Sequence, residues 1–283
     1  MPSEHDSVKA SLDLGIRQMG LPRLEAQMLL AYVLGRSRVW LIAHDDHALT
    51  DQQSHQFQHL GQRRMAGEPM AYLIGEREFM GLAFEVSPAV LIPRPETEML
   101  VQTVLEVIHN VTAPQILDLG TGSGAIAVAI AHARPDARVW ATDVSGHALD
   151  LAKRNAARHG VTVQFAFGSW FDALGGQPFA FDAIVSNPPY IPAGDVHLMQ
   201  GDLRFEPAVA LTDGADGLSV YRLLASGAQR FLRAQGHLCV EHGFDQGPAV
   251  ASLLRDAGFL QVKTIQDLAG HPRVTSGSYN GRL

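Results

Sequence analysis

Cysteine is nearly absent. Cys239 stands alone among 283 residues, so no internal disulfide can form, and the chain is expected in a reducing, cytoplasmic compartment. Long apolar runs are missing as well: none is longer than Ala125 to Ala131, far short of the roughly 20 residues that cross a bilayer. The first twenty residues mix acids with scattered apolar positions and form no secretory leader pattern. No membrane association is expected. Basic charge is not in excess either, with 22 Lys and Arg against 29 Asp and Glu and a formal net charge of −7. Nothing in that balance drives attachment to a phosphate backbone, so direct nucleic-acid binding is not expected and a protein or small molecule is the better substrate class. The 13 histidines show no ligand spacing and the single thiol makes no cluster, so no metal is predicted. Core material is plentiful, at 46% hydrophobic and 18% charged residues. That suits one large domain, or an ordinary domain with a smaller companion.

Residues 1–75 read as a small helical domain. Val8, Leu12, Ile16 and Met19 recur at helical spacing, the run from Leu24 to Leu34 stops at Gly35, and Thr50-Asp51-Gln52-Gln53 has the form of a capping box. Residues 76–92 change character: Phe79, Phe84, Val86, Val90 and Leu91 are broken by Gly81 and Pro88, which predicts a β-hairpin linker. A helix opens near Pro95 with Glu96 and Glu98 in its first turn. From there, over residues 93–283, strands and helices alternate. Strands are predicted at 116–118, 139–143, 161–167, 183–186 and 238–241, with helices at 145–159, closed by Gly160, and 219–234, closed by Gly236. Such alternation implies an α/β fold with a mostly parallel sheet covered by helices on both faces. Ligands of these sheets sit beyond the carboxyl ends of the strands, so the informative residues are those that follow each strand.

The first strand runs into Asp118-Leu119-Gly120-Thr121-Gly122-Ser123-Gly124-Ala125. Glycines here permit a tight turn and close approach to a ligand, and the helix that follows offers free N–H groups. The second strand ends at Asp143, where an acid can accept from both hydroxyls of a ribose, while Ser145 is the better helix cap. The fourth ends Ser186-Asn187-Pro188-Pro189-Tyr190. Two prolines have no N–H, so the carbonyls beside them are expected to escape regular structure. With the Asn187 side-chain carbonyl they can grip the N–H groups of a planar amide or an aromatic amine, and Tyr190 can pack its face against the same group.

This combination resembles the amino-methyltransferases of the class I fold. Six segments extend the resemblance to the release-factor glutamine methyltransferase family (PrmC/HemK): Pro93 to Glu98, Asp118 to Ala127, Asn187 to Tyr190, Phe205-Glu206-Pro207, Asp213 to Leu218, and Asp267 to Arg273, in the family's order. The resemblance implies a class I S-adenosylmethionine-dependent domain with a Rossmann-like sheet, the helical region ahead of it fitting a substrate-docking domain. It implies methyl transfer from S-adenosyl-L-methionine to the glutamine amide nitrogen of the Gly-Gly-Gln tripeptide in class I peptide chain release factors, with S-adenosyl-L-homocysteine as co-product. By the same resemblance Gly120, Thr121, Gly122, Ser123 and Gly124 wrap the methionine part of the cofactor and Asp143 holds the ribose. Trp170 matches an aromatic position beside the adenine, and its other reading is a core tryptophan. Asn187 touches cofactor and substrate, and Asn187, Pro188, Pro189 and Tyr190 form the glutamine clamp.

Some residues stay open. Arg94, Glu96 and Glu98 fit a family signature and equally a helix start with acids in its first turn. Glu241 and Gln246 follow a strand and are either structural or face the pocket. Gly175-Gly176-Gln177 reads as a surface turn, although it copies the target tripeptide. Val274 to Tyr279 is a weak closing strand that leaves the sheet order at that end unsettled. A ribosomal-protein glutamine methyltransferase and a DNA adenine methyltransferase are the alternative readings. The first lacks the Arg-Pro-Glu-Thr-Glu form, and the second needs a basic recognition surface. A nicotinamide-dependent oxidoreductase would leave Asn-Pro-Pro-Tyr unexplained, and a non-enzymatic adaptor would need no glycine loop.

Overall fold

The computed structural model describes residues 7–176 and 179–281, and the chain divides after Glu76 into two compact units. In the first unit, Ser7 caps α1 (Val8–Asp13) by accepting from the Ala10 N–H at 3.2 Å. The predicted continuous helix through Met19 instead passes into a π-helical turn, Leu14–Gln18. Gly15 lies in that turn against the Phe57 ring, where an added Cβ would meet a ring carbon at 2.9 Å. α2 (Arg23–Leu34) stops on Gly35 at φ +61°, the left-handed conformation of a C-terminal cap. α3 (Arg38–Ala43) follows, and α4 (Asp51–Met65) opens with the reciprocal Thr50/Gln53 capping box. α5 (Met70–Ile74) ends the unit. Val8, Leu29, Leu30, Leu41, Phe57 and Leu60 form its core.

The division falls one residue into a hairpin, β1 (Glu76–Phe79) and β2 (Leu82–Glu85), most of which belongs to the second unit. The turn between them is held by Glu98, whose Oε1 accepts from the Met80 N–H at 2.8 Å. That gives Glu98 a structural task. A 3₁₀ turn at Pro95–Thr97 leads into α6 (Glu98–Val107). Then come β3 (Gln115–Leu119), α7 (Ala125–Ala133), β4 (Arg138–Asp143), α8 (Gly146–Arg158), β5 (Val163–Phe167) and β6 (Phe181–Ser186). The chain finishes with α9 (Ala208–Leu211), α10 (Ser219–Ala228), β7 (Leu232–Glu241), α11 (Gly247–Asp256), β8 (Leu260–Gln266) and β9 (Pro272–Ser278). Among the described residues the main sheet runs β5-β4-β3-β6-β7-β9-β8. Its first five strands are parallel and the last two pairings antiparallel.

Alternate residues of the strands face opposite layers, as the pleat requires. Ile116, Val139, Ala183, Val185 and Cys239 pack with α6 and α7. Leu117, Leu119, Ile184, Leu238 and Val240 pack with α10 and α11 through Tyr221, Leu224, Val250 and Leu254. Each fully buried Leu or Ile contributes about 1.5–3 kcal/mol, so both layers hold the strand ends firmly in register.

Two predicted boundaries move. The helix expected over 219–234 stops at Ala228, because Leu232 pairs with Phe181 and opens β7. Gly236 is no helix cap. It occupies the irregular stretch of β7, where a Cβ would fall 2.9 Å from the Phe181 carbonyl oxygen. The closing strand is β9, antiparallel between β7 and β8. It reads weakly in sequence because two of its buried residues, Thr275 and Ser276, are polar and are satisfied by side chains outside the strand. Thr275 Oγ1 bonds His242 Nε2 at 2.9 Å and Thr264 Oγ1 at 3.0 Å, while Cys239 Sγ meets Ser276 Oγ at 3.5 Å. Of the Gly175-Gly176-Gln177 turn, Gln177 lies outside the described residues.

Candidate active site

Gly120 and Gly122 follow β3 at φ +75° and +55°, and Gly124 at +82° starts α7. Left-handed geometry at three positions is what makes this turn a glycine loop. The Gly120 and Thr121 N–H groups both donate to the Thr142 carbonyl at 2.9 Å, tying the loop to β4. Beneath it, Thr121 Oγ1 donates to Asp118 Oδ2 at 2.6 Å. Burial pushes the Asp118 carboxyl up to about 7, against the pull of that bond. Gly124 serves packing: a Cβ there would lie 3.0 Å from the Ala152 Cβ on α8.

Asp143 ends β4. Its Oδ2 accepts from the Gly122 N–H and its Oδ1 from the Ser145 N–H, both at 2.8 Å. The Val144 N–H also favours this carboxylate, and since a carboxylate has about four acceptor positions, capacity remains for a ligand hydroxyl. Burial raises the Asp143 pKa, and hydrogen bonds from the Ser145, Gly122 and Val144 N–H groups oppose the rise. Ser145 caps α8 through the Ala148 N–H at 3.2 Å. Trp170 follows β5 at φ +46°, a strained conformation for a bulky residue. Its ring stands beside Gly120, where an added Cβ would meet it at 3.7 Å, and also packs against the α10–α11 core layer.

Asn187 follows β6. Its Nδ2 donates to Thr97 Oγ1 at 3.2 Å, while its Oδ1 is buried without a hydrogen-bond partner. After the prolines, the Tyr190 carbonyl accepts from the side chain of Gln246, Nε2 at 3.0 Å. Burial raises the Tyr190 hydroxyl to about 12.

Gly120 to Ser123, Asp143, Trp170, Asn187 and Pro189 line a single cavity of about 380 Å³, a size that suits a nucleoside-bearing ligand. Gly124, Pro188 and Tyr190 are outside that lining. The cavity also takes in Arg94 and Thr97. Arg94 Nη2 pairs with Glu206 Oε1 at 2.6 Å. The Glu206 side chain is fully buried, and burial lifts its pKa to about 7 although Arg94 lowers it. Glu96 is exposed. Thr97 and Glu206 lie in quoted segments yet carry no local signal of their contacts. Their partners are distant in sequence. Among the described residues no cluster of three His, Cys, Asp or Glu is placed to hold a metal, and no helix is long and apolar enough to cross a membrane.

This donor set fits a cofactor with a ribose, a flat base and a short polar tail: remaining acceptor capacity at Asp143, an aromatic face at Trp170 and a backbone loop at Gly120 to Ser123. Comparison with known proteins agrees. The family model for the PrmC N-terminal domain matches residues 9–75, and that for the methyltransferase small domain matches residues 95–208. The release factor glutamine methyltransferase of Bordetella pertussis is 52% identical over 258 residues, covering 91% of this chain and 95% of its own. That of Neisseria gonorrhoeae is 52% identical over 263 residues, covering 93% and 96%. That of Salmonella typhimurium is 46% identical over 265 residues, covering 93% and 95%. Among solved structures, a methyltransferase from Pyrococcus furiosus superposes with a TM-score of 0.53 at 19% identity, over 80% of this chain and 100% of its own. The 16S rRNA methyltransferase RsmC of T. thermophilus, in complex with AdoMet and guanosine, gives 0.54 at 21% identity, over 73% and 50%. These two likenesses establish the class I methyltransferase fold.

Proposed function

The chain belongs to the release factor glutamine methyltransferase family, and from that footing we propose how its residues perform the reaction. The enzyme transfers a methyl group from S-adenosyl-L-methionine to the side-chain amide nitrogen of the Gly-Gly-Gln glutamine in class I peptide chain release factors. The products are N5-methylglutamine and S-adenosyl-L-homocysteine. One observation carries the assignment of the clamp: Asn187 lines the same cavity as the glycine loop and Asp143, with its carbonyl oxygen buried and unpartnered.

Gly120 to Gly124 wrap the methionine portion of the cofactor, Asp143 takes the ribose hydroxyls on its remaining acceptor positions, and Trp170 flanks the adenine. Bound there, S-adenosylmethionine supplies an already activated sulfonium methyl, which is the difficult half of the chemistry. An amide nitrogen is a poor nucleophile, so the protein's contribution is placement. The Asn187 and Pro188 carbonyls hold the two N–H groups of the glutamine amide and aim its nitrogen along the methyl–sulfur axis. The same carbonyls stabilise positive charge as it develops on nitrogen. Pro189 walls the cavity, and Tyr190 closes the clamp where Gln246 anchors its carbonyl. No side chain is assigned as general base, because an N-methylated amide cation is strongly acidic and sheds its proton unaided. The helical unit before Glu76 docks the release factor, and the reaction belongs to the cytoplasm, where that substrate is made and the lone Cys239 stays reduced.

The test is mass spectrometry of purified, unmethylated release factor incubated with this protein and S-adenosylmethionine. One added methyl, mapped to the glutamine of the Gly-Gly-Gln tripeptide, is the expected result. A methylated ribosomal protein or adenine with an untouched release factor would overturn the substrate assignment.

A further inference from the structure

Ser186 and Val240 are paired in the parallel register of β6 and β7, so Asn187 and Glu241 leave the two strands side by side. Glu241 is 2% exposed, and its Oε2 has no hydrogen-bond partner. An ionisable group so deep inside a protein normally has a task or a full set of partners. Thr97, 4% exposed, stands between the two functions. Its hydroxyl accepts from Asn187 Nδ2 at 3.2 Å, which leaves its single proton to donate. The Glu241 carboxylate leaves the neighbouring strand beside Asn187, and hydrogen bonding from both the Thr97 and the Asn187 side chains favours its ionised form.

A side-chain amide has a donor end and an acceptor end that are almost the same shape, so packing alone does not choose between them. Reversed, Asn187 would present N–H groups to the N–H groups of the glutamine amide, and the clamp would repel its substrate. We propose that Glu241, acting on the Asn187 amide directly and through Thr97, is the positioning residue that holds that amide with its carbonyl toward the substrate. The proposal rests on the role assigned to Asn187 above. Glu241 does not line the cavity and is given no contact with substrate or cofactor.

Ionisation of Glu241 strengthens the arrangement, since a carboxylate only accepts. Burial lifts this carboxyl to about 7, opposed by Thr97, Arg273 and Asn187 and reinforced by Glu96. The other titratable groups facing it are the Tyr190 and Tyr221 hydroxyls, and the Tyr221 hydroxyl donates to the Glu241 main-chain carbonyl at 2.8 Å. Both tyrosines titrate far above the relevant range. His242, next along the chain, is turned away to Thr275 and the Gly243 carbonyl.

The experiment compares Glu241→Gln, nearly isosteric, with the parent enzyme on release factor. Expected are a kcat lower by about 10–100-fold, and KM and the Kd for S-adenosylhomocysteine both within about threefold. The parent kcat should rise with pH through about 7, and the variant should lack that limb. Thr97→Val should reproduce the loss and Thr97→Ser recover most of it, a pair that stands even if Glu241→Gln fails to fold. NMR adds a readout independent of activity: the Asn187 side-chain ¹⁵N–H₂ signals should titrate in the parent and not in Glu241→Gln. Full kcat in Glu241→Gln or Thr97→Val, or a loss that tracks weakened S-adenosylhomocysteine binding, would overturn the proposal. A parent enzyme that leaves release factor unmethylated would instead defeat the substrate assignment, with the NMR titration still deciding the orientation of Asn187.

Discussion

Gln246 holds the carbonyl of Tyr190: its Nε2 donates to that oxygen at 3.0 Å and to the Gly217 carbonyl at 3.1 Å. Its own Oε1 accepts from the Gly243 N–H at 2.9 Å. One side chain at the start of α11 thus ties the end of the Asn-Pro-Pro-Tyr segment to the loop before α10. Gln246→Ala is expected to loosen the clamp without touching the cofactor walls. It should lower kcat by about tenfold and stability by about 1–3 kcal/mol, the usual cost of buried carbonyls left unpaired. Steady-state kinetics with a chemical denaturation series would check both, and an unchanged kcat would remove Gln246 from the clamp.

Asn187→Ala deletes the acceptor at the centre of the site. A kcat lower by about 10²–10³-fold is expected, as for removal of one preorganised charge-stabilising contact. The Kd for S-adenosylhomocysteine should change far less. Activity within a few-fold of the parent would refute the role.

Asp143→Ala removes the acceptor positions proposed for the ribose and also frees the Gly122 and Ser145 N–H groups that the carboxylate holds at 2.8 Å. Charge-assisted bonds contribute about 1.5–3 kcal/mol each, so the Kd for S-adenosylhomocysteine should rise by about 100-fold or more. Calorimetric titration gives the answer directly. An unaltered Kd would reduce Asp143 to a loop tie.

Removal of residues 1–75 tests the docking role of the helical unit. The cavity is lined entirely by residues from Ala89 to Val220, so binding of S-adenosylhomocysteine should persist while KM for release factor rises at least tenfold. Equal KM values would sink the docking role.

Stability should depend on pH in an unusual direction. Burial lifts Asp118, Glu206 and Glu241 to about 7 in the folded protein, whereas carboxyls of an unfolded chain titrate near 4. Between those values the folded state carries more protons than the unfolded one. Stability is then fully present below the unfolded pKa and is lost as pH rises toward 7, by up to about 1.4 kcal/mol per pH unit for each group. Urea denaturation at intervals from pH 5 to 8 should show that decline, and Asp118→Asn should remove part of it. Burial lowers the His237 and His242 pKa values, which opposes the decline at the acid end of the range, so an unchanged slope in Asp118→Asn would show that Asp118 is ionised in the fold.

The fold and the strand-end positions of the candidate site were legible because both rest on local rules. Gly35 ends α2, Thr50 and Gln53 box the start of α4, and Gly120, Asp143 and Asn187 each follow a strand of apolar residues. Helix–strand alternation and the six quoted segments were enough to place them at one edge of a parallel sheet. Misreadings arose where tertiary pairing overrode local preference. Phe231 and Leu232 continue a helical pattern in sequence but are drawn into the core and into pairing with β6. β9 looks too polar for a buried strand until Thr264, His242 and Cys239 are seen to satisfy it.

By itself, then, the amino-acid sequence determined the class of sheet, the glycine loop after β3, the acid after β4 and the amide after β6, since each is specified by neighbours a few residues away. Only the tertiary structure decided what surrounds the amide. Thr97 meets Asn187 across 90 positions, Arg94 meets Glu206 across 112, and Gln246 meets Tyr190 across 56. Hydrogen bonds and desolvation act over a few ångströms of space, whereas sequence patterns report only what lies within a few residues of chain. The partners that orient the clamp therefore came into view once the strands were laid side by side.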